Sequence, residues 1–151
     1  MKSLCDLRCK HEILYRLSHL HSDTPHRWGR MTAPQMICHL RDAFLGVMGE
    51  RPVKAQRFSF WRTMKYVALY VPIRWPHGVP TPPEIDQRCG GTPPSKFDAD
   101  MRALLAAIER FTADPRAFDF QTHPIFGKLS PEEFMRWGYL HADHHLRQFG
   151  L

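Results

Sequence analysis

Seven of the 13 prolines in this 151-residue chain (Pro72, Pro76, Pro80, Pro82, Pro83, Pro93 and Pro94) fall in one stretch, residues 72–94, with Gly78, Gly90 and Gly91 among them. Proline fixes φ and removes a backbone donor, so the stretch excludes both a regular helix and a central strand. A segment this long without elements of its own is unusual inside a compact domain and tends to carry function. It is not a solvated linker, because Trp75, Val79, Ile85 and Cys89 can pin it to a core. The expectation is an ordered crossover, with the regular structure built on either side of it.

Both sides read as helix. Leu4, Leu7, Leu14, Leu17 and Leu20 recur at helical spacing, which predicts a helix over 3–22, stopped by Ser22-Asp23-Thr24-Pro25. Thr32 is a suitable N-cap with Pro34 in the first turn, opening a second helix over about 34–49 on the apolar line Met36, Leu40, Phe44 and Val47. A short helix is expected over Trp61–Val71. Beyond the crossover, Phe97, Met101, Leu104, Leu105, Ile108 and Phe111 line one side of a helix over 95–113. Ser130-Pro131-Glu132-Glu133 opens the last helix with an N-cap serine, proline at the first position and a capping-box glutamate. Four long amphipathic helices with almost no strand signal predict an all-α, single-domain four-helix bundle over 1–151. The long Pro-rich connection between the second and third long helices suits an up-down-down-up order.

Composition narrows the function classes. With 43% hydrophobic and 24% charged residues, the chain matches an ordinary globular domain. No apolar run approaches a membrane span, and the N-terminus carries charges where an export signal needs its apolar core, so neither membrane nor export is expected. Cys5, Cys9, Cys38 and Cys89 are too scattered for a disulfide framework, which suits a cytoplasmic protein. The net charge of +6 invites a nucleic-acid reading, but the basic residues are spread without a block or a groove-reading motif, so no nucleic-acid partner is expected.

The last helix carries the chemistry. Phe134, Trp137, His141, His145 and Gln148 step by three and four, one stripe that turns from aromatic to imidazole. His141 and His145 lie one above the other, and an i, i+4 imidazole pair offers two metal ligands from one rigid element. On the second helix, His39 sits beside the apolar line of Met36 and Leu40. Together His39, His141 and His145 would supply three nitrogens and leave a position open, the catalytic pattern rather than the closed structural one. The competing reading is three core imidazoles satisfied by ordinary hydrogen bonds. Gln35 and Gln148, each one turn from a ligand, are candidates to orient the imidazoles or a water. His144 points away around the helix as a pocket or interface residue, and His123 either lines the pocket from its loop or is structural. Trp28, Trp61, Trp75 and Trp137 read as packing.

These residues carry a resemblance. Arg27-Trp28-Gly29-Arg30-Met31 followed by Gln35-Met-Ile-Cys-His39-Leu40, with His141-Ala-Asp-His144-His145-Leu-Arg-Gln148, resembles the DinB/YfiT-like superfamily of metalloenzymes. Through Pro80–Glu84, Gly90–Pro94, His123–Gly127 and His141–Gly150 it resembles, more narrowly, an uncharacterised branch of that superfamily, over most of the chain from about residue 10 onward. The resemblance implies a four-helix bundle, often a homodimer, with a divalent metal held by His39, His141 and His145. Zn or Ni suits three imidazoles first, and Fe(II) is a further option. It also implies an enzyme acting on a small-molecule substrate: a transferase using a low-molecular-weight thiol, whose thiolate the metal would favour, or a hydrolase. The alternative is a non-catalytic metal-binding or stress-response binding module. The two differ in whether the crossover and the His123 loop form a pocket over the histidines.

Other site types fail on spacing. A di-iron carboxylate bundle needs Glu-x-x-His on two helices, and no glutamate here has a histidine three residues on. His11-Glu12-Ile13-Leu14-Tyr15 lacks the second histidine of a zinc-protease helix. No motif supports a serine or cysteine hydrolase.

Overall fold

The computed structural model describes residues 1–54 and 64–151. Among these the regular structure is helical: α1 (Leu7–Leu17), α2 (Ala33–Val47), α3 (Lys65–Tyr70), a 3-10 turn (Pro83–Ile85), α4 (Phe97–Phe111) and α5 (Pro131–Gln148). The extended pairing among the described residues is a lone antiparallel bridge between His123 and Gly127. No helix is long and apolar enough to cross a membrane.

The helix ends follow their caps. α2 and α5 both open with a reciprocal capping box, Thr32 with Gln35 and Ser130 with Glu133, and each has proline in its first turn. α1 is shorter than its leucine pattern predicts. Asp6 caps it by accepting from the Arg8 amide at 2.8 Å, and Ser18 ends it. Leu4 and Leu20 lie outside the helix yet are buried, Leu4 being held by its amide to the Met135 carbonyl at 3.1 Å. Their periodicity reported burial, which turns supply as well as helices do. α4 also loses its expected first residues: Ser95 instead donates from its amide and hydroxyl to the Asp100 carboxylate. The start of the helix expected over Trp61–Val71 lies outside the described residues; its remainder is α3.

α2 is the central element, with Met36, Leu40, Phe44 and Val47 buried to 2% exposure or less. It packs most extensively on α4, and also on α5, while α1 and α3 pack on α5. The closest backbone packing therefore joins helices separated by the crossover, not those separated by short loops. Phe44, Phe111 and Trp137 form the aromatic junction between α2, α4 and α5, with ring centroids 4.8–6.3 Å apart.

Of the four residues expected to pin the proline-rich segment to the core, Ile85 is buried and Trp75 packs against the core, whereas Cys89 is exposed and polar contacts do the rest. The Asp42 carboxylate, wholly buried on α2, accepts from the Thr92 amide (2.7 Å), the Thr92 hydroxyl (2.8 Å) and the Gln87 amide (3.2 Å). Arg51 donates to the Glu84 and Gly90 carbonyls and to Thr92. The Trp75 indole donates to the Ala68 carbonyl at 2.8 Å. Side chains thus supply the partners that a proline-rich backbone cannot supply itself.

Candidate metal centre

His39 comes from the middle of α2, His141 and His145 from the last two turns of α5. Packing α2 on α5 brings the three together, with ring centroids 4.7–5.2 Å apart. One ligand nitrogen of each lies within 4.8 Å of the other two. His39 and His145 are buried and His141 is half-buried.

The hydrogen bonds decide which nitrogens are available. His39 Nδ1 lies 2.8 Å from the Ile85 carbonyl of the crossover. A carbonyl only accepts, so Nδ1 carries the proton and Nε2 keeps its lone pair. His145 Nδ1 lies 3.1 Å from Gln148 Oε1, and the Gln148 amide nitrogen donates to the Trp28 carbonyl at 2.9 Å. That second bond sets the orientation of the Gln148 amide, so its oxygen must face His145, which then donates from Nδ1 and also keeps its Nε2 lone pair. His141 Nε2 lies 3.2 Å from His39 Nε2. Its Nδ1 is buried and has no partner among the described residues.

This donor set fits a metal ion. Ligand nitrogens about 2.0–2.1 Å from a tetrahedral zinc stand ~3.3 Å apart, close to the His39–His141 separation. Burial lowers the His39 pKa and holds His141 and His145 well below the usual histidine range, so all three are neutral at pH 7. The 3.2 Å contact lets a neutral His141 donate from Nε2 to His39 in the absence of an ion, and the same three neutral imidazoles could hold a metal ion.

A cavity of about 650 Å³ opens from the three histidines. Its walls are the loop before α2 (Trp28, Met31), the crossover (Trp75–Pro82 and Ile85), the 123–126 loop and the inner faces of α2 and α5. The walls are mainly apolar, with the imidazoles at the base. Its other polar members are Arg30, His77, Thr81, Arg88, His123, His144 and Gln148.

A family model described as "Protein of unknown function (DUF1569)" matches residues 34–150. The chain belongs to the DUF1569 family. Neither a curated protein nor a solved structure matches it. The DUF1569 match spans all three histidines and most of the cavity wall; the Trp28–Met31 loop lies ahead of it.

The remaining sequence-derived site residues separate. Gln148 touches His145, as its position one turn beyond the pair suggests. Gln35 does not reach the centre: its Oε1 accepts from the Thr32 amide at 2.9 Å and closes the α2 capping box. Three residues after an N-cap, a glutamine has an orphan amide nearer to hand than a ligand one turn on. His144 stands in the cavity wall, edge-on to Trp28 at 4.8 Å, its pKa lowered to about 4 by burial. His123 also lines the cavity, buried on its loop and edge-on to Trp137 at 4.9 Å. Trp75 and Trp28 do more than pack, since both wall the cavity, and Trp28 also supplies the carbonyl that orients Gln148. Trp61 lies outside the described residues.

Sequence reasoning missed His77, which stacks on Trp28 at 3.8 Å with 10° between the rings and joins the crossover to the loop before α2. It also missed the Ile85 carbonyl. Neither has a periodic signal, because both are on irregular backbone.

Proposed function

We propose that this DUF1569 chain is a divalent-metal-dependent enzyme of the DinB/YfiT-like type, with His39, His141 and His145 as the protein ligands. It would act in the cytoplasm on a small, largely apolar molecule, either by transfer to a low-molecular-weight thiol or by hydrolysis. The observation that carries the reading is three neutral imidazoles with converging ring nitrogens at the base of a large, mainly apolar cavity. A divalent ion bound there would acidify a coordinated thiol or water and so provide a nucleophile at neutral pH. Zn or Ni suits three imidazoles best.

The chain's own residues then have defined tasks. The Ile85 carbonyl and Gln148 hold the His39 and His145 rings in the tautomer that leaves Nε2 free. The crossover and Trp28 wall the space above the histidines. We further propose an up-down-down-up bundle of α1, α2, α4 and α5, for which the packing of α2 on α4 and α1 on α5 is the support. The open face above the imidazoles favours the enzyme over a structural metal or a binding module.

The decisive experiment is metal content by inductively coupled plasma mass spectrometry on tag-free protein beside His145→Ala. Near-stoichiometric metal in the parent and its loss in the variant are expected. Absence of metal in the parent, even after incubation with zinc or nickel, would overturn the reading.

A further inference from the structure

The cavity has a second polar feature that the three ligands do not use. His123 is 3% exposed, on the loop closed by the His123–Gly127 bridge, whose two backbone bonds are both 2.9 Å. The backbone amides of Ile125 and Phe126 both point at its Nδ1, each at 3.1 Å. Two N–H donors converging on one ring nitrogen require a lone pair there, so the proton of the neutral ring sits on Nε2. Among the described residues Nε2 has no protein partner, yet it is not one of the sealed, unpartnered nitrogens. His123 is one of the residues lining the cavity, and among the described residues no protein group accepts that N–H.

Protonating the ring would place a proton against two amide donors, which the loop forbids. Burial agrees, pushing the His123 pKa down to about 3. The group is therefore a neutral donor across the physiological range, never a general base and never a cation. The Trp137 ring is a common neighbour, 4.9 Å from His123 and 5.1 Å from His141. The wall is mainly apolar, with Arg30, His77, Arg88 and His144 as further polar members, and His123 adds a fixed N–H beside Trp137.

We propose that His123 is the substrate-recognition donor of this cavity, and that its Nε2–H selects small apolar molecules bearing a carbonyl or comparable acceptor oxygen. This deepens the enzyme reading by naming the substrate class. Such a preorganised donor also strengthens its bond as negative charge develops on the acceptor oxygen.

The test uses metal-free full-length protein, so it does not depend on the metal reading. Two probes are titrated, 4-fluoroacetophenone and 4-fluoroethylbenzene, which differ chiefly in the acceptor oxygen. Binding is followed by fluorine NMR, and the histidine ring N–H signals by nitrogen-15 labelling. The expected result is a roughly three- to tenfold preference for the ketone, the worth of one neutral hydrogen bond, together with a downfield shift of the His123 Nε2–H. His123→Asn keeps an acceptor oxygen for the two loop amides but withdraws the donor from the cavity. It is expected to abolish the preference and leave ethylbenzene affinity unchanged, whereas a purely structural His123 would move both probes together. Equal binding of the two probes, no binding of either, an unmoved Nε2–H signal, or a proton found on Nδ1 would each overturn the proposal. Metal content is read separately, so either reading can fail alone.

Discussion

Two glutamines on similar footing in the sequence have opposite fates. Gln35 and Gln148 each lie one helical turn from a ligand histidine, but Gln35 closes a helix cap while Gln148 bridges His145 to the Trp28 carbonyl. Gln148→Leu leaves the buried His145 Nδ1–H without a partner and frees the ring to rotate. Metal affinity measured by chelator competition should fall about 10–100-fold, with helix content unchanged. Gln35→Ala should instead cost about 1 kcal/mol of stability through the lost cap and leave affinity in place. Equal effects of the two substitutions on metal binding would contradict the assignment. Gly29 belongs to the same device: its φ is +86°, and a Cβ there would fall on the Gln148 amide.

The crossover and α5 carry the consequences at the level of elements. Asp42 anchors the crossover through Thr92 and Gln87, so Asp42→Ala strands three half-buried donors and two nearby arginines. A loss of about 3–5 kcal/mol is expected in denaturant unfolding, with faster proteolysis within 72–94. Cleavage at the parental rate would show that the segment is held by its apolar residues alone. On α5, Gly138 allows the helix to approach its neighbours: a Cβ would meet Leu4 at 2.9 Å, Phe111 at 3.0 Å and Phe44 at 3.2 Å. Packed aromatic rings cannot yield as a chain end can, so overpacking outweighs the gain in helix propensity for Gly138→Val. The melting temperature should drop by the equivalent of about 1–3 kcal/mol.

Across the whole molecule, keeping histidines neutral in the interior ties stability to pH. Burial takes His123 to about 3 and His144 to about 4, from an ordinary value of 6.5. Above that value the folded and unfolded forms of both side chains are neutral, and neither contributes a pH dependence. Between 6.5 and the folded-state value only the unfolded chain takes up the proton, so stability falls as pH falls. The slope is at most about 1.4 kcal/mol per pH unit for each group. The urea midpoint of metal-free protein should therefore be steady above about pH 7 and decline steadily toward about pH 5. A midpoint that rises on acidification would contradict the buried, neutral state.

Much of this was legible in the chain. The α2 and α5 caps, the ordered crossover and the imidazole stripe of α5 all follow from local rules: proline chemistry, N-cap side chains and the 3.6-residue period. These act within about one turn of backbone, which is why the sequence determined which face of each helix bears the histidines. Tertiary structure alone decided that α2 and α5 meet with those faces opposed, that Ile85 and Gln148 hold the tautomers, and that His77, Trp28 and His123 wall the space above. Each of these joins residues far apart in the chain, and the choice among such pairings is made by packing of the whole core. Helical period places a side chain around its own axis; only the packed neighbours determine what stands opposite.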